Sequence, residues 1–393
     1  MISQKMLNLG TKSSVIREIF EYGNRRRAEI GAQNVYDFSL GNPSIPAPRE
    51  VTEAMRQLLA ESDPVALHGY TSGPGAMSVR SAIAASITER FGCEASAANI
   101  YMTCGAAASL TVSLNALVND GDEVIVLAPF FPEYRVFAEN AGATLVVSPP
   151  RADMGPDFAA LEGLITEKTK AIIVNSPNNP TGAVIEEADM TALCDLLRSK
   201  QSEYGTDIYL IADEPYRELV YGDTVVPYIP NFYDNTIVCY SYSKSLSLPG
   251  ERIGYIFVSP KVRDSAMVFA AVCGAGRALG FVCAPSMMQQ VIEKCLYAKA
   301  DIDAYKQNRD ILYGALVEYG YEVIEPKGAF YLFLKSPEAD AGSFCEKAKK
   351  YELLLVPGDS FGGVGYVRVS YCVAKSTIEN SLPSFKKLIE EYK

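Results

Sequence analysis

Ser241-Tyr242-Ser243-Lys244-Ser245-Leu246-Ser247-Leu248-Pro249-Gly250-Glu251-Arg252-Ile253-Gly254 sets a lysine directly behind one apolar run, Thr236–Tyr240, and just ahead of another, Ile253–Val258. Upstream the same kind of run recurs at Asp122–Leu127, Thr144–Ser148, Ala171–Asn175 and Ile208–Ala212. Continuous β-branched runs of this length suit strands buried on both faces of a largely parallel sheet. Helical patterns lie between them at Ala106–Asn119, Glu133–Ala141, Phe158–Ile165 and Asp189–Lys200. Strand–helix alternation of this kind predicts an α/β fold. Lys244 then stands beyond the carboxyl end of a strand, where such folds place their ligands.

The last hundred residues read differently. Helices are expected at Ser286–Ala298, Asp301–Tyr319 and Thr377–Glu391, with strands at Glu322–Ile324, Ala329–Leu334 and Tyr366–Tyr371. That mixture predicts a smaller α+β domain of residues 285–393 joined by residues 1–45, beside a larger domain of residues 46–284. The chain of 393 residues is 48% hydrophobic and 21% charged, an ordinary globular profile. Its net charge of −11 argues against a nucleic-acid surface, and Arg25-Arg26-Arg27 reads as a solvated helix face. No apolar run nears the ~20 residues that span a bilayer. Met1–Gly10 lacks the basic region and apolar core of a signal peptide, and nine singly scattered cysteines suit a reducing compartment, so a cytoplasmic location is expected. The one histidine, His68, excludes a histidine-based triad and a multi-histidine metal site. The chemistry falls to Lys, Tyr, Asp, Arg, Cys or a cofactor.

Four strings carry candidate chemistry. In the lysine segment the amine of Lys244 suits an imine with pyridoxal 5′-phosphate (PLP), while Ser241, Ser243 and Arg252 suit its phosphate. Ile211-Ala212-Asp213-Glu214-Pro215-Tyr216 follows a strand; Asp213 can keep a pyridine nitrogen protonated, and the Tyr216 phenol can reach the ring oxygen. Asn175-Ser176-Pro177-Asn178-Asn179-Pro180-Thr181-Gly182 is a tight turn that fixes Asn179 for the ring hydroxyl and a substrate carboxylate. Thr103-Cys104-Gly105-Ala106-Ala107-Ala108 opens a helix whose N–H groups and dipole favour a phosphate. Each has a blander reading: a surface lysine, a helix-capping acid, an ordinary turn, a packed helix start.

Together, and in this order, the strings resemble the class I/II aminotransferases of fold type I, the aspartate aminotransferase superfamily, over nearly the whole chain. Ser39-Leu40-Gly41-Asn42-Pro43 resembles the glycine motif near the substrate carboxylate. Tyr70, with Gly75 and Arg80, resembles the stretch whose tyrosine reaches the phosphate of a neighbouring subunit. Gly105, Ala106 and Ala107 match the phosphate turn. Pro129-Phe130-Phe131-Pro132-Glu133-Tyr134 is similar to the motif whose ring stacks on PLP, here Phe131. Gly365-Tyr366-Val367-Arg368-Val369-Ser370 matches the arginine motif for the α-carboxylate. Two positions depart from the pattern. Phe131 stands where Tyr or Trp is usual, and alanines stand in the phosphate turn where some relatives carry polar side chains. Neither removes a cofactor contact that the pattern requires.

The resemblance implies a ping-pong transfer of an amino group between an L-amino acid and a 2-oxo acid in a homodimer with shared sites. Lys244 would hold PLP and move the Cα proton, with Asp213 and Tyr216 tuning the ring and Asn179 and Arg368 holding the carboxylate. Aspartate-specific relatives use a second arginine from the partner subunit. Arg277, 33 residues beyond the lysine and among glycines that suggest an irregular loop, lies close to where that arginine falls in some relatives; a surface or dimer-contact arginine is the blander reading. In that place Arg277 favours an acidic donor, with aromatic or broad specificity the alternative; Arg17, Arg26 and Arg27 are further candidates. A C–S lyase on the same fold would share every cofactor residue. A PLP-sensing regulator would need a DNA-binding module, for which a pattern beginning near residue 39 leaves no room.

Overall fold

The computed structural model describes residues 2–11 and 15–393. After a short first strand, β1 (Tyr36–Asp37), seven strands make the central sheet: β2 (Ile100–Thr103), β3 (Glu123–Leu127), β4 (Thr144–Ser148), β5 (Thr169–Asn175), β6 (Tyr209–Asp213), β7 (Thr236–Ser241) and β8 (Gly254–Val258). Their order is β2-β8-β7-β6-β5-β3-β4. Strands β4, β3, β5, β6 and β7 pair in parallel, while β8 runs antiparallel to both its neighbours.

The period of two along each strand divides the sheet into two buried faces. Ile172, Val174, Leu210, Ala212 and Val238 point into one core with Leu193 and Leu197 of the helix Glu187–Tyr204. Ala171, Ile173, Ile211, Ile237 and Cys239 point into the other with Val112 and Leu114 of the helix Ala106–Leu117. Burial on both faces is why these strands read as unbroken apolar runs rather than as alternating ones.

A third core belongs to the C-terminal part. Here β9 (Val323–Ile324), β10 (Tyr331–Lys335), β12 (Val356–Pro357) and β13 (Tyr366–Ser370) form an antiparallel sheet in the order β12-β13-β10-β9. Strand β11 (Leu353–Leu354) pairs in parallel with β1, which ties the N-terminal segment to this part. In the helix Val15–Ile30, Ile19 is buried with Val35, Leu354, Val356 and Phe361.

One placement departs from the expected division at residues 284 and 285. Helix Ser286–Cys295 buries Met288, Val291, Ile292 and Cys295 in the first core of the central sheet, against the helices Arg49–Glu61 and Met77–Phe91. Its packing belongs with the larger part, not the smaller. An apolar stripe at this spacing announces a buried helix face but does not say which core receives it.

Candidate active site

Asn175, Asp213 and Ser241 are the last residues of β5, β6 and β7, three adjacent parallel strands, and Asn175 stands directly opposite Asp213. Their side chains meet a cavity of about 330 Å³ at the carboxyl edge of the sheet. Gly41, Ala106, Ala107, Phe131, Asn179, Tyr216, Ser243, Lys244, Arg252 and Arg368 line it as well. Of the expected site residues, these come together in one place.

Lys244 sits on a single helical turn, Tyr242–Ser245, started by Ser241, whose hydroxyl accepts the Ser243 N–H at 3.1 Å and donates to Ser243 Oγ at 2.8 Å. Nζ of Lys244 donates to the Gly41 carbonyl at 2.5 Å. Burial pulls its ammonium down to about 8, Arg252 and Arg368 add to that, and Cys372 opposes them. A lysine in this state is partly neutral near physiological pH.

Asp213 is buried, and Oδ2 accepts the Tyr134 phenol at 2.5 Å. Oδ1 has no partner. Burial raises the carboxyl to about 7, against the lowering effect of the Tyr134 bond, and Glu214 adds to the rise. Asn175 fixes the neighbouring turn: its Nδ2 donates to the Asp213 carbonyl at 2.9 Å and its Oδ1 accepts the Asn179 N–H at 2.8 Å.

Arg368, on β13, is among the largest fully buried side chains. Nη1 donates to Asn179 Oδ1 at 3.1 Å and Nη2 to the Ser39 carbonyl at 2.5 Å, while Nε has no partner among the described residues. The guanidinium lies 4.9 Å from the ring centres of both Tyr331 and Phe361. Among the described residues no carboxylate pairs with it. Burying a cation without a counter-ion is costly, and here burial lowers its proton affinity, so the site is built for an anion that arrives with a ligand.

A second anion cradle borders the cavity at Arg252. Gly105 has φ of +89° and starts the helix Ala106–Leu117; a Cβ there would meet Arg252 Nη2 at 2.8 Å. At this φ any other side chain would be strained and would press on the guanidinium, which lies beside the start of a helix whose first N–H groups have no intrahelical partners. Gly41 is similarly confined, since a Cβ would fall 2.0 Å from the Tyr331 hydroxyl.

These features fit PLP. The orphaned Oδ1 of Asp213 suits a pyridinium N–H, the Gly105–Arg252 cradle suits a phosphate, and the depressed Lys244 amine suits a carbonyl carbon. Phe131 flanks the cavity and meets Tyr134 edge-on, with ring centres 5.6 Å apart.

Two expected residues stand elsewhere. Tyr70 is 98% exposed. Arg277 is exposed in the last turn of the helix Ser265–Ala278, not on an irregular loop, and does not line this chain's cavity. Gly276 is there because a Cβ would meet the Tyr101 hydroxyl at 2.0 Å; the glycine serves close helix packing rather than a turn. Arg26 pairs with Glu352 and Glu29, and Arg27 with Asp37, so neither is directed at a substrate. Arg17 is exposed. Three residues had no assigned role in the sequence: Tyr134, which holds Asp213; Asn175, which holds the turn; and Tyr331, whose hydroxyl lies 2.9 Å from that of Tyr216. The first two stand inside the strings already quoted, whereas Tyr331 lies in an apolar run with no signal of its own.

A sheet of this order with a lysine, an acid and a buried arginine at its carboxyl edge defines a PLP-dependent transferase of fold type I. Residues 32–384 match the family described as Aminotransferase class I and II. The chain belongs to that family, whose members depend on PLP. It is 30% identical to the aspartate aminotransferase of Thermotoga maritima over 89% of this chain and 90% of that one. It is 27% identical to aromatic-amino-acid aminotransferase 2 of Thermococcus litoralis over 97% and 96% of the two chains. A crystal structure of an aminotransferase from Eubacterium rectale, 52% identical, superposes with a TM-score of 0.98 over 100% of this chain and 99% of that one.

Proposed function

We propose that this aminotransferase exchanges an amino group between an L-amino acid and a 2-oxo acid, with Arg368 and Asn179 receiving the α-carboxylate and Lys244 the reacting centre. The observation that carries the reading is the pair of uncompensated buried groups, the Arg368 cation and the Asp213 Oδ1, that line one cavity. When bound, PLP supplies a ring that accepts the electron pair left at the substrate Cα. Asp213 holds the ring nitrogen's proton. Gly105, Ala106 and Ala107 offer backbone N–H groups, and Ser241, Ser243 and Arg252 offer side-chain donors, to the phosphate. Phe131 would pack on the ring face, and Tyr216 would donate to the ring oxygen. The Lys244 amine, neutral in an appreciable fraction because burial depresses it, takes the proton from Cα.

The apolar lining of the cavity includes Ile16, Leu40 and Phe131, and its cations among the described residues are Lys244, Arg252 and Arg368. An acidic donor, aspartate or glutamate, therefore needs a further cation, and Arg277 of a second copy is the candidate. Aromatic or broad specificity is the alternative, favoured by the apolar lining itself. Exposed Tyr70, Val65 and Met77 support a homodimer in which Tyr70 serves the neighbouring phosphate site. Nine free thiols suit a cytoplasmic location.

A half-reaction screen tests this. Each amino acid is added singly to the PLP-loaded protein, and the visible band is followed for conversion to the pyridoxamine form. Conversion by aspartate and glutamate that is lost in Arg277→Ala, with neutral donors unaffected, gives the acidic reading. Conversion only by aromatic or aliphatic donors discards Arg277. Pyruvate from cystathionine without conversion would make the protein a C–S lyase.

A further inference from the structure

Tyr331 touches more of the site than any role so far given to it explains. Its ring is buried, its hydroxyl lies 2.9 Å from that of Tyr216, and the Arg368 guanidinium stands over its face at 4.9 Å. The same hydroxyl packs against Gly41, whose carbonyl accepts from Lys244 Nζ. Strand geometry puts it there: Tyr331 pairs with Ser370 and Phe333 with Arg368, so Tyr331 and Arg368 are diagonal neighbours across β10 and β13.

Two phenols in contact share one hydrogen bond and keep one proton free for another. Both stay protonated near neutral pH: burial pushes Tyr216 well above its ordinary value and Tyr331 up to about 12. If the free proton is the one Tyr216 gives to the cofactor's ring oxygen, as proposed above, then Tyr331 must be the donor in the shared bond. A phenol whose oxygen accepts a hydrogen bond becomes the stronger donor through its own O–H.

We infer that Tyr331 is a positioning residue for the reaction, which orients the Tyr216 phenol and strengthens its donation to the cofactor's ring oxygen while its ring face carries Arg368. The hydroxyl serves the cofactor and the ring serves the substrate carboxylate, so one side chain has two separable functions. This rests on the PLP reading.

The separation gives the test. In Tyr331→Phe the ring remains and the hydroxyl is lost. Tyr216 then donates less strongly, the ring oxygen becomes more basic, and it holds the neighbouring imine proton to higher pH. The pH midpoint of the visible band of the PLP-loaded protein should rise by about a few tenths of a unit, since the donated bond remains and loses only its cooperative strengthening of about 10–30%. The affinity of a simple carboxylate such as 3-phenylpropionate, read from its perturbation of the same band, should be unchanged. In a Tyr216→Phe background the Tyr331→Phe shift should vanish. Tyr331→Leu, which removes the ring, should weaken carboxylate binding as well. An unmoved midpoint in Tyr331→Phe, or a shift that persists without the Tyr216 hydroxyl, overturns the inference. Absence of any visible band in the unsubstituted protein would instead overturn the cofactor assignment.

Discussion

Asp213 shows how one residue links the stability of the fold to the occupancy of the site. In the cofactor-free protein its carboxyl is raised to about 7, chiefly by burial. In the unfolded chain it titrates as an ordinary carboxylate near 3.9. Between about pH 4 and pH 7 the native state therefore holds a proton that the unfolded state has released, and native stability falls as pH rises through that window. The slope amounts to at most about 1.4 kcal/mol per pH unit. Lys244 is shifted the other way, to about 8, so its contribution changes only above that pH and does not mask the window. Urea unfolding of the cofactor-free protein at about pH 5 and about pH 7.5 should show the decline, and Asp213→Asn should lessen it, with burial of the neighbouring Glu214 leaving a part of the same sign. Equal slopes in the two proteins would mean that Asp213 is charged throughout. The pyridinium of the bound cofactor offers the orphaned Oδ1 its missing donor, so loading with PLP should also remove the Asp213 share of the slope.

Among the elements, the junction of β7, β8 and the phosphate turn is the most crowded. A Cβ on Gly254 would meet the Tyr240 carbonyl oxygen at 2.3 Å, the Gly105 Cα at 3.1 Å and the Ser241 Cα at 3.3 Å. All three are backbone atoms and cannot swing aside, so Gly254→Ala should cost about 2–3 kcal/mol in urea unfolding and weaken PLP binding by moving Gly105. Gly250, four residues earlier, has nothing within 4 Å of its own Cβ position, and Gly250→Ala should be near neutral. Equal effects would show that the junction yields.

Legibility followed the same local-versus-distant line. Strands β3 to β8 were readable because burial on both faces leaves long apolar runs. The four residues of β2, Ile100–Thr103, were too few to stand out beside their helices. Helix Met77–Phe91 mixes Ala and Ser with its apolar residues and presents little periodicity. The cofactor residues could be read because each lies in a short string with its own turn chemistry. Tyr331 could not, since its partner Tyr216 is 115 residues away and nothing local marks the pair. The segment around Arg277 is a helix rather than the expected loop, because a glycine's reason, turn or close packing, is decided by its neighbour in space, here Tyr101 beside Gly276.

For the whole molecule, the proposed dimer makes a prediction that no single chain could satisfy. If Tyr70 serves the neighbouring phosphate site, a hybrid of one Lys244→Ala chain and one Tyr70→Ala chain contains one site with both residues intact. Mixing the two weakly active homodimers under subunit exchange should restore activity. A mixture no better than the sum of its parts would place Tyr70 in its own chain's site or outside the machinery. The N-terminal helix Gln4–Thr11 buries none of its residues and exposes Met6 and Leu9, an apolar surface that a second copy is suited to cover.

The pairing of β1 with β11 has a consequence for synthesis. Tyr36 and Asp37 leave the ribosome early, yet the residues they hydrogen-bond, Leu353 and Leu354, are translated almost a whole chain length later. The parallel strands of the central sheet can gather as they emerge, but β1, the Ser39 carbonyl beside it and Arg368 find one another only near the end of translation. A truncated nascent product would thus carry the lysine and the acid without the arginine, and so would lack the Arg368 contact proposed for the substrate carboxylate.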